Sequence, residues 1–163
     1  MPYQPARNTL EEDRRGLLES VAGRIIANRF QPIALQADSP VLGAQFAAQD
    51  IGRNASLYGL VVVARDGQWS RALALGEQEL RRAYEHGFTP SEVDEAKANL
   101  LAALTNAAQQ AESRRSAGIA GMIVSDSLSG TVPESPAQAL ARYRKVEASI
   151  TPARLAEAFR KAW

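Results

Sequence analysis

The chain has 163 residues, of which 45% are hydrophobic and 23% charged, and its 19 basic and 18 acidic residues leave a net charge of +1. That size suits a single domain able to bury about two-thirds of its unfolded surface. Cysteine is absent, which excludes disulfides, thiolate nucleophiles and cysteine-held zinc. The basic residues are interleaved with acids, as in "LEEDRR" and "GEQELRRAYE". This is the pattern of solvated helix faces laced with ion pairs, not of a phosphate-binding stripe, so no nucleic-acid partner is expected. The opening "MPYQPARNTLEEDRR" lacks the apolar centre of a signal peptide. Nowhere is there the run of about eighteen apolar residues that a membrane span requires, so no membrane partner is expected either.

In chain order, "NTLEEDRRGLLESVAGRIIANRF" begins with Thr9 as N-cap and Glu12 at the capping-box position. Leu10, Leu17, Leu18, Val21, Ala22, Ile25 and Ile26 then recur at helical spacing as one inward stripe. Three strands are expected next. "PIALQA" is short; "GAQFAAQDI" alternates, with Ala44, Phe46 and Ala48 on one face and Gln45 and Gln49 on the other. "ASLYGLVVVARD" is apolar on both sides around Leu60–Val63, the pattern of an interior strand. The intervening "IGRNA" reads as a hairpin connection. Its "NAS" also matches a glycosylation acceptor at Asn54, a three-residue pattern that a turn explains equally well.

From Gly67 onward the pattern is helical. Trp69, Leu73, Gly76, Leu80, Ala83 and Tyr84 share a stripe, closed by Gly87 as C-cap. Val93, Ala96, Leu100, Leu101, Leu104 and Ala108 form the next. "SRRSAGIAGMIVSDSL" predicts a further helix whose Gly118 and Gly121 would permit close packing. "SPAQALARYRKVEA" opens on Ser135 with Gln138 at its capping-box position, and "TPARLAEAFRKAW" repeats the cap-proline start. No repeat or long linker divides the chain. The fold class is α+β, two-layered, with a small, mainly antiparallel sheet packed against several helices.

The lone histidine lies in "YEHGFTPSEVDEAKANLLAAL". Helix punctuation accounts for this stretch: Thr89 caps, Pro90 fits the first helical position, Glu92 reaches back, and Phe88 and Val93 close a hydrophobic staple. His86 ends the preceding helix, where its imidazole meets the negative end of the dipole. A catalytic zinc needs three protein ligands and an open position, and one histidine without cysteine does not supply them. A serine triad would have to use His86, and no Gly-x-Ser-x-Gly elbow or glycine-rich phosphate loop is present. Convergence of two carboxylates stays open, since eighteen acids are available. Neither a catalytic nor a metal-binding residue is assigned.

The stretches "RRGLLESVAGRIIANRF", "YGLVVVARDGQWSRAL", "GFTPSEVDEAKANLL" and "ITPARLAEAF" occur in an order that resembles the pitrilysin/insulinase-type zinc metallopeptidases, specifically their second, non-catalytic type of repeat domain. Gly-Phe-Thr-x-x-Glu-x-x-x-Ala-Lys, residues 87–97, is the most specific of these. The resemblance implies a fold like that of the mitochondrial-processing-peptidase domains. It covers residues 8–163 as one domain, with 1–7 as a flexible N-terminal extension. It also implies a bacterial parent peptidase whose first domain holds zinc in a His-x-x-Glu-His motif, for which the periplasm is a fitting compartment. That motif is absent here. The segment would therefore hold no cofactor and act as a wall, with the remaining parent domains as partners and peptide substrate reached through them.

Gln45 and Gln49 are the residues expected to face the peptide chamber, a solvent-facing strand side being the alternative. Such a domain would carry further strands before residue 8 and after Trp163. An unpaired edge is therefore expected to pair, for example with a second copy, as are apolar helix faces left without a neighbour. The competing reading is a stand-alone binding or dimerisation module. A third is an independent hydrolase.

Overall fold

A computed structural model describes residues 9–51 and 55–163. The first helix, α1, spans Leu10–Ala34 and leads into a hairpin of β1 (Val41–Ile51) and β2 (Ala55–Ala64). Five helices follow: α2 (Trp69–His86), α3 (Pro90–Gln109), α4 (Ser116–Ser129), α5 (Pro136–Val146) and α6 (Pro152–Ala162). The architecture is α+β in two layers, as the patterning predicts. The expectations for residues 1–7 and for Asn54 lie outside the described residues.

The helix boundaries follow local chemistry. Thr9 accepts a hydrogen bond from the Glu12 N–H at 3.2 Å. Thr89 and Glu92, and likewise Ser135 and Gln138, form complete capping boxes, each followed by proline in the first turn. Gly87 ends α2 at φ 71°, a left-handed value that disfavours any side chain.

The sheet is an antiparallel pair with Phe46 opposite Leu60, Gln45 opposite Val61 and Gln49 opposite Leu57. Its inner face presents Ala44, Phe46, Leu60 and Val62 to a core built mainly on α1: Leu18, Val21, Ala22, Ile25, Ile26 and Phe30. α6 lies along α1, and α5 along α3. An aromatic chain links the layers. Phe88 meets Phe159 edge-on at 6.0 Å, Phe159 stacks on Trp163 at 6.0 Å, and Trp163 lies 6.3 Å from Phe46.

Several expectations are corrected. "PIALQA" is not a third strand: α1 runs on through Pro32 to Ala34, and the chain then turns with Leu35 N–H donating to Gln31 O at 3.3 Å. Phe30 is buried and Ile33 and Ala34 pack on the core, so continuing the helix covers apolar surface. Pro32 forfeits one ladder bond, to Asn28 O, but lies two residues from the helix end, where a kink displaces little of the helix. Two strands are thus present among the described residues, and β2 is an edge strand rather than an interior one.

The α2 stripe is also rotated from its predicted position. Trp69 and Leu73 are 70% and 64% exposed, while Ala72, Gly76, Glu79 and Ala83 face inward. Small residues are required there because α2 approaches the sheet closely: a Cβ on Gly76 would lie 3.1 Å from Val62 Cγ2. Gly118 and Gly121 do not mediate close packing, since a Cβ at either would meet no atom within 4 Å.

Gly23 is where α1 meets β1. A Cβ there would come within 2.5 Å of the Phe46 ring and 2.9 Å of Phe46 Cβ. Because the clash extends to the root of the side chain, rotating the ring does not relieve it. Gly23→Ala is expected to destabilise the domain by about 1–3 kcal/mol despite its better helix propensity, measured by urea denaturation. An unchanged midpoint would contradict the close approach.

Candidate functional site

The polar centre of the molecule is a cluster that the apolar patterning does not announce. Arg29, on the inward face of α1, is about nine-tenths buried. Its Nε and Nη2 donate to the Glu92 carboxylate at 2.7 and 3.1 Å, and Nη2 also donates to Gly87 O at 3.0 Å. The guanidinium carbon stands 5.5 Å from the centre of the Phe88 ring. Its Nη1 lies 3.9 Å from Glu79 Oε2, an ion pair rather than a hydrogen bond. One side chain thus ties α1 to α2, to the α2–α3 connection and to the first turn of α3.

Glu92 serves two structures at once. Burial opposes its ionisation, but hydrogen bonds from Arg29 and from the Thr89 N–H and hydroxyl outweigh this and hold the carboxyl down at about 2. Oε1 accepts from Arg29 Nε, and Oε2 accepts from Arg29 Nη2 and from the Thr89 N–H and hydroxyl.

His86 is the last residue of α2, with its side chain 76% exposed and its nearest acid, Glu85, 3.9 Å away. The C-terminal carbonyls of α2 are met by another residue: Arg160 of α6 donates to Tyr84 O at 2.8 Å and to Glu85 O at 3.4 Å. Among the described residues no group of three or more His, Asp or Glu side chains is arranged to hold a metal ion. These two side chains do not fit a zinc site: His86 points into water, and Glu92 is held by Arg29 and the α3 cap.

The predicted chamber residues lie on β1. Gln45 is exposed at the rim of a groove of about 470 Å³ between α1 and the hairpin, with Gly16, Glu19, Ser20 and Tyr58 among its other lining residues. Gln49 is placed by register opposite Leu57, and its side chain lies outside the described part of the structure. In the groove, burial raises the Glu19 carboxyl above its ordinary value, against opposing effects of Arg15 and of Tyr58, whose hydroxyl donates at 3.4 Å. The outer sheet face around Gln45 is apolar, with Leu42, Leu57, Val61 and Val63 all exposed. Arg29, Glu79 and Arg160 were not singled out from sequence. A signal existed for the first two, since each sits at core spacing on its helix, three to four residues from Ile25 and Ile26 or from Gly76 and Ala83.

No protein-family model matches the sequence, and no curated protein matches it. Solved structures do match in fold. The first half of the periplasmic protease PqqL from Escherichia coli aligns over 99% of this chain at 22% identity and a TM-score of 0.88. The chain has the fold of a segment of that protease. The structure of PqqL itself gives 23% identity and a TM-score of 0.88, and a predicted insulinase family protease from Yersinia pestis gives 13% and 0.83, each again over 99% of this chain. The chain spans 35% of the half-length PqqL and 18% of the longer PqqL chain. The α+β fold expected from the resemblance is therefore present, with one strand fewer.

The Arg29 cluster makes a definite acid response. A carboxyl held below its unfolded value, near 4.3, adds stability that is present above that pH and is lost as pH falls through about 2. Glu92 keeps 24% of its side chain in solvent, so screening reduces the contribution to roughly 1–2 kcal/mol. Glu92→Gln is expected to remove the part of the stability loss lying between about pH 4.5 and 2, followed by denaturant titration at each pH. A variant with the wild-type pH profile would refute the assignment. Arg29→Met is expected to cost more, about 3–5 kcal/mol, because Glu92 loses its guanidinium partner and buried Glu79 keeps only the exposed Arg82, 3.6 Å from its Oε1, as counter-charge. A loss under 1 kcal/mol would show that the cluster does not hold the layers together.

Proposed function

We propose that this chain is a structural, non-catalytic domain of a zinc-dependent peptidase, docking on the zinc-bearing domain and helping to enclose the peptide chamber. The observation that carries this reading is the match of essentially the whole chain to one part of a larger periplasmic protease. The donor inventory supports it, since one histidine and no cysteine leave zinc chemistry to another domain. The parent would bind the metal elsewhere. This segment would contribute enclosure and positioning, which lower the entropy cost of bringing peptide and site together.

In this reading Gln45 and Gln49 face the chamber on the outer side of the sheet. Apolar Leu57, Val61 and Val63 are their cross-strand and same-face neighbours and would receive uncharged parts of a peptide. The parent's compartment would be the periplasm, as the name of PqqL states for that protein. No described helix is long and apolar enough to cross a membrane.

The test is twofold. The complete coding sequence is expected to carry His-x-x-Glu-His outside these 163 residues. The purified chain is expected to leave casein and a set of fluorogenic peptides uncut, with or without added zinc. Peptide cleavage that disappears on His86→Ala would overturn the proposal and establish an independent hydrolase.

A second reading, a stand-alone binding or dimerisation module, is favoured by one feature. β2 pairs only with β1 among the described residues, and it lacks the lysine, proline or bulge that usually guards an edge. Under that reading, sedimentation shows a dimer at high micromolar concentration that Val61→Lys dissociates. A clean monomer counts against it.

A further inference from the structure

α4 is the feature that the domain itself leaves unexplained. Its sequence, "SAGIAGMIVSDSLS", is apolar around its circumference, with Asp126 as its sole charge, yet none of its residues is buried. Ile123, Val124 and Leu128 are 45%, 58% and 73% exposed, and Val132 just beyond the helix is 65% exposed. An all-round apolar helix belongs in a covered setting. The outer sheet face, also apolar at Leu42, Leu57, Val61 and Val63, already has an occupant in the chamber reading.

Three occupants can be weighed by size and charge. A bilayer fits poorly as host: fourteen residues make a helix about 21 Å long, short of the ~30 Å hydrocarbon core. The basic neighbours of α4, Arg114 and Arg115, stand at its N-terminal end rather than along a polar face as an interfacial helix requires. A second copy meeting α4 alone gains too little. A helix face about 21 Å by 10 Å offers roughly 200 Å², against about 800 Å² per partner in a stable complex. A contact of that size holds only where covalent connection keeps the partner at high effective concentration. Interfaces between domains of one chain meet this condition.

From this we infer that α4 is a docking helix for an adjoining domain of the same polypeptide, whose matching surface is apolar and uncharged. The inference rests on the wall reading above and adds the surface through which the wall is joined. Solved neighbours agree with the required context, since this fold is 35% of one chain and 18% of another. A groove of about 970 Å³ opens beside α4, between α3 and α5, with Leu104, Met122 and Val132 among its walls.

Hydrogen exchange read by mass spectrometry tests it. Residues 116–129 would be followed in the 163-residue chain and in the complete polypeptide that its gene encodes. Exchange is expected to be at least ten-fold slower in the complete polypeptide. The double variant Val124→Asp, Leu128→Asp is expected to restore the fast rate there without altering exchange in α1. Equal rates in the two proteins, or protection that survives the double variant, would overturn the inference while leaving the wall reading intact. A gene encoding these 163 residues and nothing more would overturn the wall reading, and the inference with it.

Discussion

Burying an arginine is costly unless its charge and its donors find partners, and here the partners come from three separate elements. Arg29 donates hydrogen bonds to Glu92 and to Gly87 O, while its Nη1 meets Glu79 only as an ion pair at 3.9 Å, without a hydrogen bond. Glu92 lies in the first turn of α3, Gly87 caps the end of α2 and Glu79 lies in the middle of α2, so one side chain of α1 constrains how both helices are set against it. The apolar core supplies most of the driving force but little direction. The cluster supplies direction: it fixes the rotation of α2, which turns Glu79 inward and so turns Trp69 and Leu73 outward.

That rotation explains where the sequence was legible and where it was not. Helix starts were readable because caps are local: Thr9, Thr89 and Ser135 bond within three residues of themselves. The core face of α1 was readable because seven apolar residues share one stripe, although Leu10 lies outside the core. The face of α2 was not readable, because the choice between its large apolar residues and its small ones is made by the distance to the sheet at Gly76 and by a charge 50 residues away on α1. The strand expected at residues 32–37 failed for a related reason. A short apolar run with proline suits a strand end or a helix end, and only the burial of Phe30, Ile33 and Ala34 decides between them.

The functional site shows a similar division. The supply of one histidine and no cysteine is read directly from composition, and the structure adds where the two candidates lie: Glu92 against Arg29 and a helix cap, His86 at the exposed end of α2. The placement of Gln45 on the outer, solvent side of β1 was readable from period-two alternation. The isolation of α4 was not. Its composition predicts burial, and only the tertiary arrangement leaves it uncovered.

The two tryptophans differ in what they touch, although both are partly exposed, at 47% for Trp163 and 70% for Trp69, and this gives the protein a built-in optical reporter. Trp163 stacks on Phe159 and neighbours Phe46, at the junction of the terminal helix with the hairpin, whereas Trp69 stands mostly in water. Intrinsic emission therefore contains a component tied to layer contact and another indifferent to it. Substituting Trp69 with phenylalanine isolates the first, so that separation of hairpin from helices can be timed optically without attaching a dye.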